Sequence, residues 1–200
     1  MPRDSRLWLR QLVLDMIMAT DMQAHTDLLV RLEQLPTDNT EKLTAAQRGV
    51  LMQSVLHATD LHVPTLPWRS SRAWATALSE EFRAQVALER ESSLPVSSFL
   101  VPADAKAHGK MESGFGGALV KPFYDALTRR LPELDLCCQM MRTNLEQWSL
   151  IATGAPPEEI DVTAQGKIVD AWEKQPVLLD RDTMMKLPPE LRPAPAPAPA

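Results

Sequence analysis

The sequence has few of the features that mark membrane, secreted or nucleic-acid-binding proteins. No apolar run approaches the roughly 18 residues of a membrane-spanning helix. Arg10 and Asp15 interrupt the apolar stretch near the start, which argues against a secretory signal. The net charge is −5, with no basic patch, which disfavours nucleic acid as a partner. The two cysteines, Cys137 and Cys138, are adjacent, so we predict reduced thiols in a cytoplasmic protein rather than a disulfide.

Strand signals are also missing, because no segment alternates polar and apolar residues over any length. Apolar side chains instead recur three or four positions apart, as they do on the buried face of a helix. The 200 residues, of which 44% are hydrophobic, suffice for about one globular domain. We therefore predict an all-α fold, with helices over 5–33, over 45–59, from Ser70 or Ser71 through Val86, over 106–130, and from Pro132 to Gly154.

Several side chains have predicted roles in these helices. Thr44 and Gln47 have the spacing of a capping box at the start of the second helix. Trp74 and Phe82, on the third helix, are expected in the core. The apolar face of the first helix is expected to point inward and carries Leu9, Leu12, Val13, Met16, Ile17, Leu28, Leu29 and Leu32.

Glycine and proline mark the fourth and fifth helices. Gly114, Gly116 and Gly117 each weaken a helix by roughly 1 kcal/mol relative to alanine, so we expect a neighbour or a ligand to approach closely there. Pro132 fits the first turn of the fifth helix, and Gly154 provides its stop.

The chain changes character after residue 154. It becomes rich in proline and ends in a Pro-Ala repeat over 193–200, which cannot form helix or sheet ladders. We therefore predict a helical domain over 1–154 and a Pro-rich flexible, disordered tail over 155–200. A short surface helix is expected around Ile168 to Trp172.

Two short motifs contain candidate functional residues. The first is His57-Ala58-Thr59-Asp60-Leu61, whose carboxylate would be costly to bury unless it is paired or bound to a metal. The alternative is an ordinary helix-terminal aspartate beside the turn that contains Pro64. The second motif is Met18-Ala19-Thr20-Asp21-Met22, followed by His25. Asp21 and His25 are four residues apart, which predicts one shared helix face, and an ordinary ion pair is the alternative there.

With a third motif, Met111-Glu112-Ser113-Gly114-Phe115, these segments resemble the catalytic domain of the class I 3',5'-cyclic nucleotide phosphodiesterases. The order of the three motifs, with Trp74 and Glu80-Glu81-Phe82 between them, carries the resemblance. It extends over residues 7–154 and implies the C-terminal half of an all-α catalytic domain of the HD superfamily.

The resemblance implies roles on the metal side of the site. Asp60 matches a metal-binding aspartate, Thr20 and Asp21 match residues that order the water around the metal, and His57 belongs to the same surroundings. The complete family domain would hold zinc and magnesium. Metals of this kind orient a phosphate and activate a water molecule.

The resemblance also implies a purine pocket. Met22 would line it and Phe115 would stack on the base. Glu112 stands where the family has glutamine. An ionised carboxylate only accepts hydrogen bonds, so we expect adenine, and hence cAMP, to be favoured over guanine. Val63 also departs from the family, because it replaces a residue that helps to hold the base, and His62 offers partial compensation.

Two histidine motifs of the family, His-Asn-x-x-His and His-Asp-x-x-His, are absent from these 200 residues. The four histidines lie elsewhere, so the metal site is expected to be incomplete, and no residue matches the catalytic general acid. We therefore weigh two hypotheses: part of a phosphodiesterase that hydrolyses cyclic nucleotides in signal transduction, or a non-catalytic helical binding module. The chain alone is expected to be inactive and prone to associate, with a missing N-terminal half or a second copy as its partner.

Overall fold

The computed structural model describes residues 3–37, 42–156 and 163–173. These residues form an array of α-helices without strands, which confirms the predicted fold class. None of the described helices is long and apolar enough to cross a membrane. The helices are α1 (Arg3–Met18), α2 (His25–Glu33), α3 (Ala45–Asp60), α4 (Trp68–Glu91), α5 (Ala105–Phe115), α6 (Lys121–Thr128), α7 (Asp135–Thr153) and α8 (Thr163–Glu173).

Two predicted helix ends are confirmed in detail. At the start of α3, the Thr44 hydroxyl accepts from the Gln47 N–H at 3.3 Å, and the Gln47 side chain accepts from the Thr44 N–H at 2.8 Å. At the end of α7, Gly154 has a φ of +113°, a left-handed conformation that glycine adopts without strain. Capping residues close in sequence therefore fix where these two helices begin and end.

The prediction of one helix over 5–33 is wrong, because the chain breaks between α1 and α2. Asp21 has an extended backbone, and its carboxylate accepts from the Gln23 N–H at 2.9 Å, which caps a 3₁₀ turn over Met22–Ala24. A short polar side chain that bonds the backbone locally competes with continued helix. Asp21 and His25 consequently do not share a helix face, and the i,i+4 pair does not form.

The expected inward face of α1 is only partly covered: Leu12 and Met16 are half-buried, whereas Leu9, Val13 and Ile17 are exposed. No residue of α1 is buried against the other described residues, whereas Leu28 and Leu32 of α2 are. The exposed apolar side chains of α1, called the α1 surface below, are Leu7, Trp8, Leu9, Val13, Leu14, Ile17 and Met18.

Helix α4 begins at Trp68, after Pro67, rather than at Ser70 or Ser71. Ser71 is buried inside the helix, so its predicted capping role is wrong. Trp74 is 59% exposed and is not a core residue. Helix α4 buries one narrow face through positions 68, 71, 75, 79 and 86, and Trp74 lies about 100° around the helix from Ala75.

The predicted helix over 106–130 is interrupted by a π-helical turn, Gly116–Val120, between α5 and α6. Of the three glycines expected to allow close approach, Gly114 and Gly117 have no neighbour there, and Gly116 lies against Leu145. The closest approach is at Gly109, where an added Cβ would lie 2.6 Å from the Ala152 nitrogen. Helices α5 and α7 therefore touch backbone to backbone at a glycine that the sequence pattern did not single out.

The core has two clusters. The larger joins α2, α3, α6 and α7 around Phe123, Leu127 and Met141, none of which is exposed. The smaller holds Trp68 against Trp148, with ring centroids 4.9 Å apart. The thiols of Cys137 and Cys138 are free, as predicted, and the first is half-buried while the second is buried.

The short helix expected after residue 154 is present as α8, and it packs on α7. Gln165 is 5% exposed, accepts from the Trp68 N–H at 2.8 Å and donates to Asn144 Oδ1 at 2.7 Å. The domain boundary near residue 154 stays a prediction. The Pro-Ala repeat lies outside the described residues.

Candidate functional site

Two motifs from separate helices meet through a pair of buried histidines. His25 opens α2 and His57 lies in the last turns of α3, and their exposed fractions are 4% and 0%. His25 Nδ1 and His57 Nε2 are 2.9 Å apart, so one ring donates a hydrogen bond to the other. Both rings pack against Phe123 of α6, with centroids 5.3 and 5.0 Å from its ring. The pair thereby fixes the turn at Asp21 relative to the end of α3.

The surroundings of the pair favour neutral rings. Burial is the main cause that lowers the pKa of His25, and burial followed by the nearby His25 lowers the pKa of His57. Asp60 acts in the opposite direction on His57. If both rings were protonated, both nitrogens would be donors and the hydrogen bond between them would be lost.

The pKa shifts predict acid-sensitive stability. The unfolded histidines titrate near 6.5 and the folded ones below that value, so the unfolded state binds more protons as the pH falls. The free energy of unfolding should be constant above about pH 7.5 and should drop below about pH 6.5, by up to about 1.4 kcal/mol per pH unit for each histidine. Urea unfolding between pH 5.5 and 8 measures this slope.

Two variants separate the buried pair from other titrations. His57→Gln keeps a hydrogen-bonding side chain that does not ionise, so it should flatten the slope. His62→Gln is the control, because His62 is exposed and its ring is hydrogen-bonded to the nearby Thr59 carbonyl. Equal slopes in the wild type and in His57→Gln would contradict the assignment.

The remaining residues of the second motif lie at the break between α1 and α2. The Thr20 hydroxyl donates to the Ile17 carbonyl at 2.8 Å and is half-buried. Asp21 is exposed, and Met22 is 43% exposed. The turn therefore presents a carboxylate and a thioether to solvent beside the His25–His57 pair.

Asp60 is the last residue of α3, and it is exposed rather than buried. The premise of a buried, costly carboxylate is therefore wrong. An exposed carboxylate at a helix end remains available to a cation or a partner. The described residues contain no group of three or more His, Cys, Asp or Glu side chains that could hold a metal ion.

Glu112 and Phe115 lie one turn apart on α5, so they share a side of that helix. Phe115 is 37% exposed, which leaves its ring available for stacking. The side chain of Glu112 is only 15% exposed, and one carboxylate oxygen lies 3.5 Å from His108 Nε2. Helix α5 packs on α7, which also contacts the turn Val63–Thr65 that follows Asp60. Helix α7 therefore connects the two candidate regions.

Residues 1–141 match the family model for 3'5'-cyclic nucleotide phosphodiesterases. The chain belongs to this family. The match covers the two motifs around the histidine pair and the motif on α5, which confirms the resemblance read from the sequence.

Individual phosphodiesterases agree with the family match. A Drosophila melanogaster protein, 3',5'-cyclic-AMP phosphodiesterase isoform F, is 28% identical over 82% of this chain and 26% of its own length. The rat dual specificity calcium/calmodulin-dependent 3',5'-cyclic nucleotide phosphodiesterase 1B is 32% identical over 63% of this chain and 23% of its own length. The chain thus spans about a quarter of these relatives.

A solved structure is similar over most of the fold. The phosphodiesterase domain of the RhoPDE fusion protein from the choanoflagellate Salpingoeca rosetta has a TM-score of 0.69 and 30% identity, over 76% of this chain and 49% of that domain. The chain therefore corresponds to about half of a solved phosphodiesterase domain.

Sequence reasoning missed three contacts. It did not predict that His25 and His57 pair, although both stood in recognised motifs. It also missed the contact between His108 and Glu112, whose i,i+4 spacing was the available signal. The network of Gln165 and Asn144 has no local signal, because the two residues are 21 positions apart.

Proposed function

We propose that this chain is the purine-binding part of a 3',5'-cyclic nucleotide phosphodiesterase, which hydrolyses its substrate to a 5'-monophosphate. The observation that carries the proposal is the side of α5 where a partly exposed Phe115 lies one turn from the Glu112 carboxylate. An aromatic face stacks on a purine, and an adjacent carboxylate accepts from an amino group on the base edge. Family membership supplies the class of ligand.

The Glu112 carboxylate supports a preference for cAMP. The amino group at C6 of adenine donates to a carboxylate, whereas the oxygen at C6 of guanine would face it with lone pairs. The relatives named above include one named for cyclic AMP and one named for dual specificity, so family membership alone leaves both bases open, and we propose Glu112 as the residue that favours adenine.

We do not assign a metal site to the described residues, because they do not assemble one. Asp60, exposed at the end of α3, would contribute one carboxylate, and we propose that Thr20 and Asp21 order the water around the metal. The expected zinc and magnesium ions would need donors beyond the described residues. The free thiols of Cys137 and Cys138 support a reducing, cytoplasmic setting for the protein.

Binding of cAMP to the purified chain, measured by titration calorimetry, tests the proposal. Phe115→Ala should weaken binding by roughly tenfold or more, because stacking on an aromatic ring is worth about 1–3 kcal/mol per base. Phe99→Ala is the matched control, since Phe99 is 80% exposed and belongs to none of the three motifs. Binding that is indifferent to Phe115→Ala would overturn the assignment of α5 as the base site.

A second candidate, a non-catalytic binding module, is favoured by the uncovered α1 surface. The solved Salpingoeca domain is about twice as long as the part that this chain matches. We therefore propose that helices equivalent to the rest of that domain cover the α1 surface in the first candidate, whereas a different protein partner covers it in the second. A folded chain that binds a protein partner but no cyclic nucleotide would favour this second candidate.

Without such helices, the α1 surface should drive self-association. Light scattering of the purified chain should report a mass well above the 22.3 kDa of a monomer. The double variant Trp8→Glu, Ile17→Glu should shift the mass toward that of the monomer, because both side chains are more than half exposed on α1. Gln11→Glu is the control for added charge on the same helix. A monodisperse wild-type monomer would contradict this expectation.

A further inference from the structure

Glu112 is held by a cluster that the proposed purine site does not by itself require. His108 Nε2 lies 3.1 Å from the Ser79 hydroxyl of α4 and 3.5 Å from Glu112 Oε1 of its own helix. Ser79 is 5% exposed, and the side chains of His108 and Glu112 are each 15% exposed. A hydroxyl oxygen and a carboxylate oxygen therefore converge on one ring nitrogen in a largely buried position.

Packing against α7 holds the His108 side chain in place. The His108 ring packs on Trp148 of α7, with centroids 5.1 Å apart, and Trp148 is itself held by Trp68. Gly109 brings the backbones of α5 and α7 into contact next to His108. The rotation of α5 about its axis is therefore set by packing, and the direction of the His108 ring follows from it.

The chemistry of the cluster determines where the proton lies. A carboxylate is an acceptor only, so an unprotonated Nε2 beside it would place lone pairs against lone pairs. With the proton on Nε2, the ring donates to Ser79 and presents its N–H to Glu112. The open cleft of about 250 Å³ next to His108 is lined by Glu80, Arg83 and Asp104, which carry charges of both signs. Glu112 is the acid within ion-pair distance of the ring among the described residues.

We propose that His108 is a positioning residue for base selection. Its Nε2–H, held by Ser79, orients the Glu112 carboxylate as an acceptor beside Phe115, so that a purine with an amino group at C6 is preferred. This inference rests on the proposed function, because it concerns the orientation of a group in that same purine site. Ser79 and His108 do not themselves touch the base.

The affinities of the chain for cAMP and for cGMP, measured by titration calorimetry, test the proposal. Wild type should bind cAMP about tenfold more tightly than cGMP, since a hydrogen bond to a charged group has an effect of this order. His108→Leu removes the donor and should bring this ratio close to one. His108→Gln places an amide N–H near the position of Nε2 and should retain most of the preference. Gln85→Leu, a change of polar to apolar at an exposed position of α4 outside the three motifs, should leave the ratio unchanged.

A second measurement does not depend on the nucleotide. The ring ¹⁵N resonances of His108 should show a proton on Nε2, and their chemical shifts should change in Glu112→Gln. The chemical shifts of the His62 ring should not change in that variant. If His108 had only a structural role, His108→Leu and His108→Gln would reduce the ratio of cAMP to cGMP affinity equally, which would contradict the proposal.

The outcomes separate this inference from the proposed function. A wild-type chain that binds neither nucleotide overturns the proposed function and this inference with it. A chain that prefers cAMP through Glu112, but keeps that preference in His108→Leu, overturns the inference alone. A His108 ring that is indifferent to Glu112→Gln would also overturn it.

Discussion

Gly109→Ala should destabilise the protein by about 3 kcal/mol, which is at the upper end for an overpacked core position. The added Cβ would lie 2.6 Å from the Ala152 nitrogen and 2.8 Å from the Trp148 carbonyl oxygen. Both are backbone atoms of α7, so no side chain can move aside, and α5 and α7 must separate. The free energy of unfolding in urea measures the effect.

Gly114→Ala is the matched control, because it lies on the same helix with no neighbour within 4 Å of an added Cβ. It should stabilise the protein by roughly 0.5–1 kcal/mol through helix propensity. Equal effects of the two substitutions would show that α5 and α7 do not approach as described. Separation of the helices should also disturb the His108–Glu112 contact, so Gly109→Ala should weaken cAMP binding as well.

Asn144→Leu should cost about 3–4 kcal/mol, because it leaves several buried polar groups without partners. Asn144 is fully buried, and its amide donates to the carbonyls of Pro64 and Leu66 at 2.8 and 2.7 Å. It also accepts from Gln165 of α8. One side chain therefore connects α7 to the proline turn after Asp60 and to the helix beyond residue 154.

The control for Asn144→Leu is Ser149→Ala, on the same helix. Ser149 is exposed and donates to the Leu145 carbonyl one turn earlier, so its loss should cost less than about 0.5 kcal/mol. Urea unfolding of both variants gives the comparison. A small effect of Asn144→Leu would mean that α8 and the proline turn are not joined through this residue.

The sequence was sufficient to predict features that depend on residues close together in the chain. The capping box at Thr44 and the left-handed Gly154 lie within a few residues of the ends they define, and both are confirmed. The all-α class follows from a periodicity that runs through the whole domain. The family follows from three ordered motifs, which a match over residues 1–141 confirms.

The sequence was insufficient to predict features that depend on packing between segments far apart in the chain. A helical period cannot show whether a partner covers the apolar face, and for that reason α1 and Trp74 were expected in the core. The break at Asp21 depends on a side chain that bonds its own backbone in competition with the helix. The His25–His57 pair, the contact of Gly109 with α7, and the Gln165 network all join segments far apart in sequence.

Nuclear magnetic resonance mapping of the wild-type chain with cAMP tests the central claim most directly. The α5 side with Glu112 and Phe115 should show the largest shifts, smaller shifts should occur around Met22 and Asp60, and Phe99 should be unchanged. These residues would then form one nucleotide site across the fold. Saturating cAMP that leaves Glu112 and Phe115 unmoved, or that moves only the cleft around Arg83, would contradict the account.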